Sequence, residues 1–452
     1  PRLGRRVGAQ LFLECATLAD LCSALERPLR EPGATARSVE LLEADATLAA
    51  DLVAAEPASA PAPFESVLLT GATGFYGTFV LMELLRETPA HVVCLVRAPS
   101  PDAARERVLA SLSRRGCHID PELFETRVSC VTGDVARPRL DLAPDLYRRL
   151  SERIDVIIHA AARVSMLLPY DAMKASNALS VEQVLRLAVT GKPKAVHHVS
   201  TVEVLADMER RHPLALTERD AASSPALLEG GYGQSKWVAE KLIEQARERG
   251  MRAYVHRPGR LTGHSSTGAF NDDDFLVQLL DACGRIGAAP TLDLVVDVTP
   301  VDVAARALVR LVKSEPVQRT FHLVHPQPAA WGSLLETAIA IGYPLRVVPH
   351  SRWRSMLQDL AAREERASFL HYLASLSGEE IEELLRGGYA TPGTSSALGP
   401  SFEWPPIDAH LLATYLRALA DAGRFPLGRS PRVSSGVPSS RRAQGKLPVI
   451  GR

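Results

Sequence analysis

Tyr232 and Lys236 stand four residues apart in Tyr232-Gly233-Gln234-Ser235-Lys236. On a helix, that spacing puts a phenol and an ammonium on one face. A cation beside a phenol favours its ionised form and makes it a better proton donor near neutral pH. Far upstream lies a glycine-rich turn, Thr70-Gly71-Ala72-Thr73-Gly74-Phe75-Tyr76-Gly77. Gly71, Gly74 and Gly77 follow a short apolar run and open a helical pattern, the context in which such a turn holds a dinucleotide. One glycine makes the tight turn, one lets backbone approach the pyrophosphate, and one lets helix pack on strand. The free N–H groups of the helix start then meet the phosphates. Thr73 and Phe75 share the turn and are expected to touch the same ligand. A dinucleotide beside a proton donor describes a hydride-transfer site.

The elements that must position these groups are legible as alternating strands and helices. Apolar runs predict strands at Val67 to Leu69, His91 to Val96, Arg127 to Val131, Asp155 to His159, Ala195 to Val199 and Ala253 to His256. Helical patterns fall between them, over 76–86 and 231–249 among others. Buried apolar strands alternating with helices predict an α/β fold, a Rossmann-type doubly wound parallel sheet. Beyond Gly263 the alternation breaks down. Helical patterns at 273–286, 301–313, 332–342 and 351–386, with short strands near 294–298 and 319–324, predict a smaller, mostly helical C-terminal substrate domain. The expected organisation is a helical fragment at 1–27, a linker and helical segment at 28–63 with a helix near 38–54, and a dinucleotide-binding domain at 64–262. The substrate subdomain follows at 263–428, with the chain free to re-enter the sheet, and then a disordered tail at 429–452, rich in Ser, Arg, Gly and Pro.

The end of the second strand selects the cofactor. An NAD enzyme usually carries an acid there for the ribose hydroxyls. Here the strand ends in Arg97, and a guanidinium suits a 2′-phosphate, which favours NADPH. An ordinary surface arginine is the bland alternative. Arg107, ten residues on, is a candidate second contact. Asp134, after the third strand, is placed either to hydrogen-bond the adenine amino group or to cap a turn, with Val135 beside it. Ala160, Ala161 and Ala162 offer small side chains where backbone must pass close to the cofactor. Thr201 ends the fifth strand and can donate to a substrate oxygen, with Ser200 competing for the role. Tyr232 can deliver the proton. Lys236 can orient the ribose and lower the tyrosine pKa. Pro258, Gly259 and Leu261, after the sixth strand, complete the expected cofactor set. A hydroxyl, a phenol and an ammonium around one carbonyl stabilise the charge that grows as hydride arrives. His159, His197 and His198 invite a metal reading, but adjacent strand residues point to opposite faces, and no metal is expected.

Composition narrows the function classes. The chain of 452 residues has 52 Lys plus Arg and 52 Asp plus Glu, so nothing suggests nucleic acid or a bulk anionic surface. No apolar run reaches the ~20 residues that span a bilayer, and no signal peptide is evident. Six scattered cysteines without a Cys-x-x-Cys pair point to a reducing cytoplasm and away from metal ligation.

Together these residues resemble the extended short-chain dehydrogenase/reductase superfamily. They are most similar to the thioester reductase domains that terminate non-ribosomal peptide and polyketide synthases, relatives of the reductase domains of carboxylic acid reductases. The likeness runs from about Ser38 to about Pro426. It is carried by Leu69 to Phe75, Cys94 to Ala98, His159 to Ala162, Val199-Ser200-Thr201, Gly231 to Trp237 and Arg257-Pro258-Gly259-Arg260. Thr267-Gly268, Asp272 to Phe275 and Thr299 to Asp302 extend it. Tyr76 departs from the family's usual leucine, and its hydroxyl must find a partner. The fragment Leu11 to Leu21 looks like the last helix of a carrier protein domain whose phosphopantetheine serine would lie upstream. The resemblance implies reduction by NADPH of a carrier-bound acyl or peptidyl thioester. Tyr232 would protonate the oxygen with help from Thr201, and the thiohemiacetal would collapse to an aldehyde and the carrier thiol. A second NADPH would carry the aldehyde to a primary alcohol. It also implies a phosphopantetheinylated carrier domain as partner and a monomeric isolated domain.

Rival readings share these motifs. A nucleotide-sugar epimerase or dehydratase would hold NAD tightly, which Arg97 disfavours. A fatty acyl-CoA reductase lacks the carrier-like start. A non-catalytic NADP-binding sensor commonly loses the Tyr/Lys pair kept here. In the helical pattern at 351–386, Arg352, Arg354, Arg363 and Arg366 make the first half basic. Glu379, Glu380, Glu382 and Glu383 make the second half acidic. The expectation is a helical hairpin over the crevice that either only closes the domain or meets an acidic carrier surface.

Overall fold

Apolar runs bounded by turn residues form parallel strands that are buried almost throughout, except at the edge strand Val128–Thr132, where only Val128 is buried. They are β1 (Ser66–Thr70), β2 (His91–Val96), β3 (Val128–Thr132), β4 (Val156–His159), β5 (Ala195–Val199), β6 (Ala253–Pro258) and β7 (Thr320–Leu323). In this computed structural model, residues 32–54, 64–165, 168–205, 216–220, 225, 228, 230–314, 316–364 and 368–424 are described. The expected carrier fragment at 1–27, the Pro/Ala linker at 57–63, Arg366 and the tail at 429–452 lie outside them. The strands lie in one seven-stranded sheet, in the order β7-β6-β5-β4-β1-β2-β3. Strand order reverses between β1 and β4, and a ligand crevice opens at the carboxyl ends beside such a switch point. The doubly wound fold class is as expected.

The helices of the sheet domain are α1 (Pro32–Asp45), α2 (Phe75–Glu87), α3 (Pro101–Arg114), α4 (Pro121–Arg127), α5 (Pro144–Arg153), α6 (Tyr170–Asn177), α7 (Leu179–Val189) and α8 (Gly231–Glu248). Next come α9 (Phe275–Ile286), α10 (Val301–Ser314), α11 (Trp331–Ala340), α12 (His350–Ala361), α13 (Ser368–Ser375), α14 (Gly378–Leu385), α15 (Pro392–Leu398) and α16 (Ala409–Asp421). Successive strand residues feed two cores, because side chains alternate across a strand. Leu69, Ile158, Tyr254 and Phe321 pack with Phe79 of α2, Val108 of α3 and Leu308 of α10. Leu68, Ile157, Val196 and Val255 pack with Val184 of α7 and Trp237 and Leu242 of α8. A third core joins α9, α11, α12, α13, α14 and α16 through Leu279, Trp331, Trp353, Leu373, Ile381 and Leu416. No helix among the described residues is long and apolar enough to cross a membrane.

Three boundaries differ from expectation, each for a physical reason. The sheet domain is not closed at 262, because the chain re-enters it, as the sequence leaves open. α10 lies in the α2 core, and β7 pairs in parallel with β6, Phe321 beside His256. Tyr76 helps explain this return: its hydroxyl donates to the Ala304 carbonyl of α10 at 3.0 Å. The pattern at 351–386 is three short helices rather than a hairpin. Ser377 and Glu380 form a reciprocal capping box, which starts α14 afresh inside the pattern. The N-terminal helix stops at Asp45 rather than running to 54. From there the backbone is claimed by side chains of α8 and its end: Leu48 donates to Gln245, and Arg249 donates to the carbonyls of Leu48, Ala49 and Leu52.

The histidines singled out in the sequence are built into the sheet. His197 stacks on Tyr254 (centroids 4.5 Å apart) and shares a 3.0 Å hydrogen bond with His256. His198 faces the other side with His159, which is bonded to Thr70 and Ser180. Burial pushes the imidazoles of His159 and His197 down to about 3, with minor help from Lys236 and Arg252 respectively. They are therefore neutral when folded, while an unfolded imidazole takes up a proton near pH 6.5. Stability is full above that value and falls as pH drops from about 6.5 toward 3, by about 1.4 kcal/mol per pH unit for each such histidine. Thermal melts should show the unfolding midpoint dropping steadily between pH 7 and pH 5. A flat midpoint across that range would contradict neutral buried rings.

Candidate functional site

The glycine turn is a backbone cradle. Gly71 has φ +81°, and a Cβ there would sit 2.7 Å from Ala160 C and Ala161 N. A Cβ on Gly77 would lie 2.1 Å from the Gly71 carbonyl oxygen. Gly74 donates to that oxygen at 2.9 Å, and no side chain caps the start of α2. Its first N–H groups therefore face the crevice without competitors. Ala161 N–H donates to Thr70 Oγ1 at 3.1 Å, which fixes the β4 exit alongside. Ser111 donates to the Thr73 carbonyl and holds the turn from behind. Phe75 turns its ring onto Phe79, under the Arg115 guanidinium, and so offers the crevice its backbone. The geometry fits a dinucleotide pyrophosphate.

Around this cradle the other expected contacts spread along the carboxyl edge of the sheet. Arg97 is exposed directly after β2, and the Arg107 side chain of α3 donates to the Arg97 carbonyl. Two exposed arginines therefore meet at this strand end. Asp134 follows β3, and its Oδ1 accepts from Ala136 N–H at 3.0 Å, the turn-capping alternative; half-buried Val135 packs on the α7 side. Ala160 and Ala161 border Gly71, while Ala162 is exposed. Pro258 is buried at the end of β6. At Gly259 a Cβ would meet the Asp297 carboxylate, and Leu261 packs at the edge of the α2 core.

The catalytic candidates come from two elements. β5 ends in Val199, and the two hydroxyls after it separate cleanly. Ser200 is buried and donates to Glu240 at 2.5 Å. Thr201 is half-buried, and its Oγ1 accepts from Glu203 N–H at 3.2 Å, so its own hydrogen stays available. α8 carries Tyr232 and Lys236. Lys236 is 2% exposed and donates to the Val199 carbonyl at 2.7 Å, pinning α8 to the strand that ends in Thr201. One expectation is corrected here. Tyr232 is not brought down in pKa: burial, and then the nearby Glu203 carboxylate, push it above its usual value. Burial pulls Lys236 down to about 8, partly opposed by Glu240. The ammonium remains charged at neutral pH but spends a hydrogen bond on the strand.

Three supporting groups escaped sequence reasoning. Glu240 sits one helical turn beyond Lys236. It forms a buried ion pair with Arg257 at 2.7 Å while accepting from Ser200. Burial alone would raise its pKa, but Arg257 and Ser200 outweigh that and hold it below the usual value. The four-residue rhythm Tyr232, Lys236, Glu240 was the available signal. Asn177 of α6 is fully buried and bridges the Arg163 backbone to Ser235 of α8. Glu203 lies against Gly233: a Cβ on that glycine would be 3.7 Å from Glu203 Oε1. At the junction with the C-terminal lobe, Arg260 binds Asp274 at 2.9 Å and donates to the Leu384 carbonyl of α14. An apolar pocket lined by Leu261, Phe270, Leu276, Leu280, Leu412 and Tyr415 opens there.

Comparison with known proteins follows the same outline. A family model described as male sterility protein, an NAD-binding family, matches residues 69–308. A linear gramicidin synthase polypeptide of Brevibacillus parabrevis is 32% identical over 444 residues, covering 94% of this chain but only 8% of that protein. The crystal structure of the terminal R domain from the myxalamid PKS-NRPS biosynthetic pathway superposes with a TM-score of 0.81 at 36% identity, over 87% of this chain and 100% of that one. The reductase (R) domain of a nonribosomal peptide synthetase from Mycobacterium tuberculosis gives 0.70 at 26% identity, over 86% and 99%.

Proposed function

The chain belongs to the terminal reductase domains of non-ribosomal peptide and polyketide synthases, a branch of the NAD(P)-dependent extended short-chain dehydrogenase/reductases, and from that premise we propose that it releases a carrier-bound acyl or peptidyl thioester by reduction. The observation that supports this reading is the bond from Lys236, on the helix that carries Tyr232, to the Val199 carbonyl at the end of β5 just before Thr201, with the glycine cradle two strands away across the switch point. The aldehyde offers the same carbonyl to the same groups, so a second round gives a primary alcohol. Incubation with NADPH and an acyl-phosphopantetheine thioester should yield aldehyde or alcohol plus free thiol. Recovery of intact thioester would overturn the proposal.

When bound, a reduced nicotinamide supplies hydride to the carbonyl carbon. Everything else falls to the chain. Gly71, Gly74 and Gly77 with the α2 N–H groups hold the pyrophosphate. Thr201, its oxygen already occupied by Glu203 N–H, points its hydrogen at the substrate oxygen. Tyr232, kept neutral by its raised pKa, gives that oxygen a proton. Lys236 offsets the phenolate that results and has N–H groups left for the ribose. The Asn177 and Glu240 bonds keep the two elements in register, so the donors need not reorganise as charge develops.

NADPH is the proposed form, supported by Arg97 and Arg107 at the β2 end. A guanidinium–phosphate contact is worth roughly 1.5–3 kcal/mol. Arg97→Ala should therefore narrow the NADPH/NADH preference in kcat/KM by tens-fold. An unchanged ratio would move the 2′-phosphate site, with Arg107 the next candidate. The proposed partner is a phosphopantetheinylated carrier domain. Exposed Arg352 and Arg363 support a basic face for it, whereas Arg354 is tied to the Ala374 carbonyl. The free thiols of Cys94, Cys117, Cys130 and Cys283 support a reducing, cytoplasmic setting.

A further inference from the structure

Reductive release moves two protons at one carbon, and Tyr232 accounts for only one of them. On the reading above, it protonates the oxygen as hydride arrives. When the thiohemiacetal collapses, that oxygen must give a proton back and the departing sulfur must gain one. A phenol that has just become a phenolate can take the first, but it cannot give the second in the same step as the carbon–sulfur bond breaks.

The site holds a carboxyl group that the mechanism so far leaves idle. Glu203 is the second residue after Thr201, and its N–H holds Thr201 Oγ1. Its carboxyl rests on the backbone of Gly233, the residue after Tyr232, with a Cβ there falling 3.7 Å from Oε1 and 3.9 Å from Cγ. No side chain at Gly233 separates the carboxyl from the helix that carries the phenol. The group is half-buried, and among the described residues nothing hydrogen-bonds or ion-pairs with it. Among the described residues, the charged or titratable groups that act on it are Tyr232 from α8 and Arg260 from the segment after β6. Arg260 is already engaged by Asp274 and the Leu384 carbonyl.

We propose that Glu203 is the second proton donor of the reaction, delivering a proton to the thiol sulfur as the carbon–sulfur bond breaks. The electron pair of that bond goes to sulfur, which takes the Glu203 proton. The O–H pair becomes the second bond of the carbonyl, and its proton returns to the Tyr232 phenolate. Tyr232 ends neutral, and the Glu203 carboxylate is recharged from water. Over the turnover, one hydride from the reduced nicotinamide and one solvent proton convert thioester to aldehyde and thiol. Burial pushes Glu203 up to about 7, with Arg260 opposing, so the group is poised to give and regain a proton near neutrality. A solvated glutamate near 4.3 would be empty there.

Glu203→Gln tests this in the full chain, since the amide keeps the shape and has no proton to give. Wild type and variant would be assayed with NADPH on an acyl-phosphopantetheine thioester and on the matching free aldehyde, from pH 6 to 9. The thioester-to-aldehyde ratio of kcat should fall about 10²-fold, the lower end for a general acid. The wild-type thioester rate should decline from about pH 7, and in the variant that decline should move up to about pH 8, where Lys236 loses its proton. Glu203→Asp should recover part of the ratio. Equal loss on both substrates, or an unchanged ratio with the alkaline decline unmoved, would overturn the inference alone. A wild-type domain that leaves the thioester intact would overturn both the release reading and this step.

Discussion

Tyr232→Phe is expected to lower thioester reduction by about 10²–10⁴-fold, the range for removing a positioned general acid. The substitution is a clean probe here. The Tyr232 hydroxyl makes no hydrogen bond to a described residue, so its loss strands no buried partner among them. The loss should therefore appear in kcat with little change in melting temperature, and NADPH titration should give a dissociation constant close to the wild type. Turnover near the wild-type level would remove Tyr232 from the chemistry. The raised pKa of this phenol bears on the result: the tyrosine is a neutral donor throughout the useful pH range, so no loss of activity at moderately alkaline pH should be ascribed to its ionisation.

The largest stability effect is expected at Glu240. Its carboxylate and the Arg257 guanidinium are each 3% exposed and bonded to one another, and Ser200 also depends on Glu240. Glu240→Ala would leave Arg257 charged and buried, with the Asp220 carbonyl and His322 as its remaining hydrogen-bond partners among the described residues and the Glu244 and Asp220 carboxylates only at longer range. Breaking a buried pair from one side costs about 3–5 kcal/mol. Denaturant unfolding should show a loss of that size, and activity should fall as well, because Ser200 positions the strand end that presents Thr201. Replacing both partners, as in Glu240→Leu with Arg257→Met, should recover much of the stability, since the expense lies in the orphaned charge. A single variant within ~1 kcal/mol of wild type would mean that water or a neighbour takes over the guanidinium.

Much of the site was legible before any fold was known. The strands His91–Val96 and Ala195–Val199 match their apolar runs residue for residue, and the Tyr232 helix begins where its glycine predicts. Parallel strands buried on both faces read as continuous apolar runs, and glycine is demanded wherever backbone passes within van der Waals reach of backbone, as Gly71 does at Ala160. Local chemistry of this kind needs only near neighbours, so the cradle, the order of the motifs and the fold class were determined by the sequence alone. What tertiary structure decided is which distant residues share a space. The strand near 319–324 and a return to the sheet were open in the sequence, but its place beside β6 could not be read from four residues, because the partner is chosen by a free sheet edge. Nor could the position of Glu203, brought onto Gly233 from thirty residues away, where burial and proximity together reverse the pKa shift expected for Tyr232. Solvation and charge at a site are sums over everything folded around it, and no spacing along the chain reports that sum.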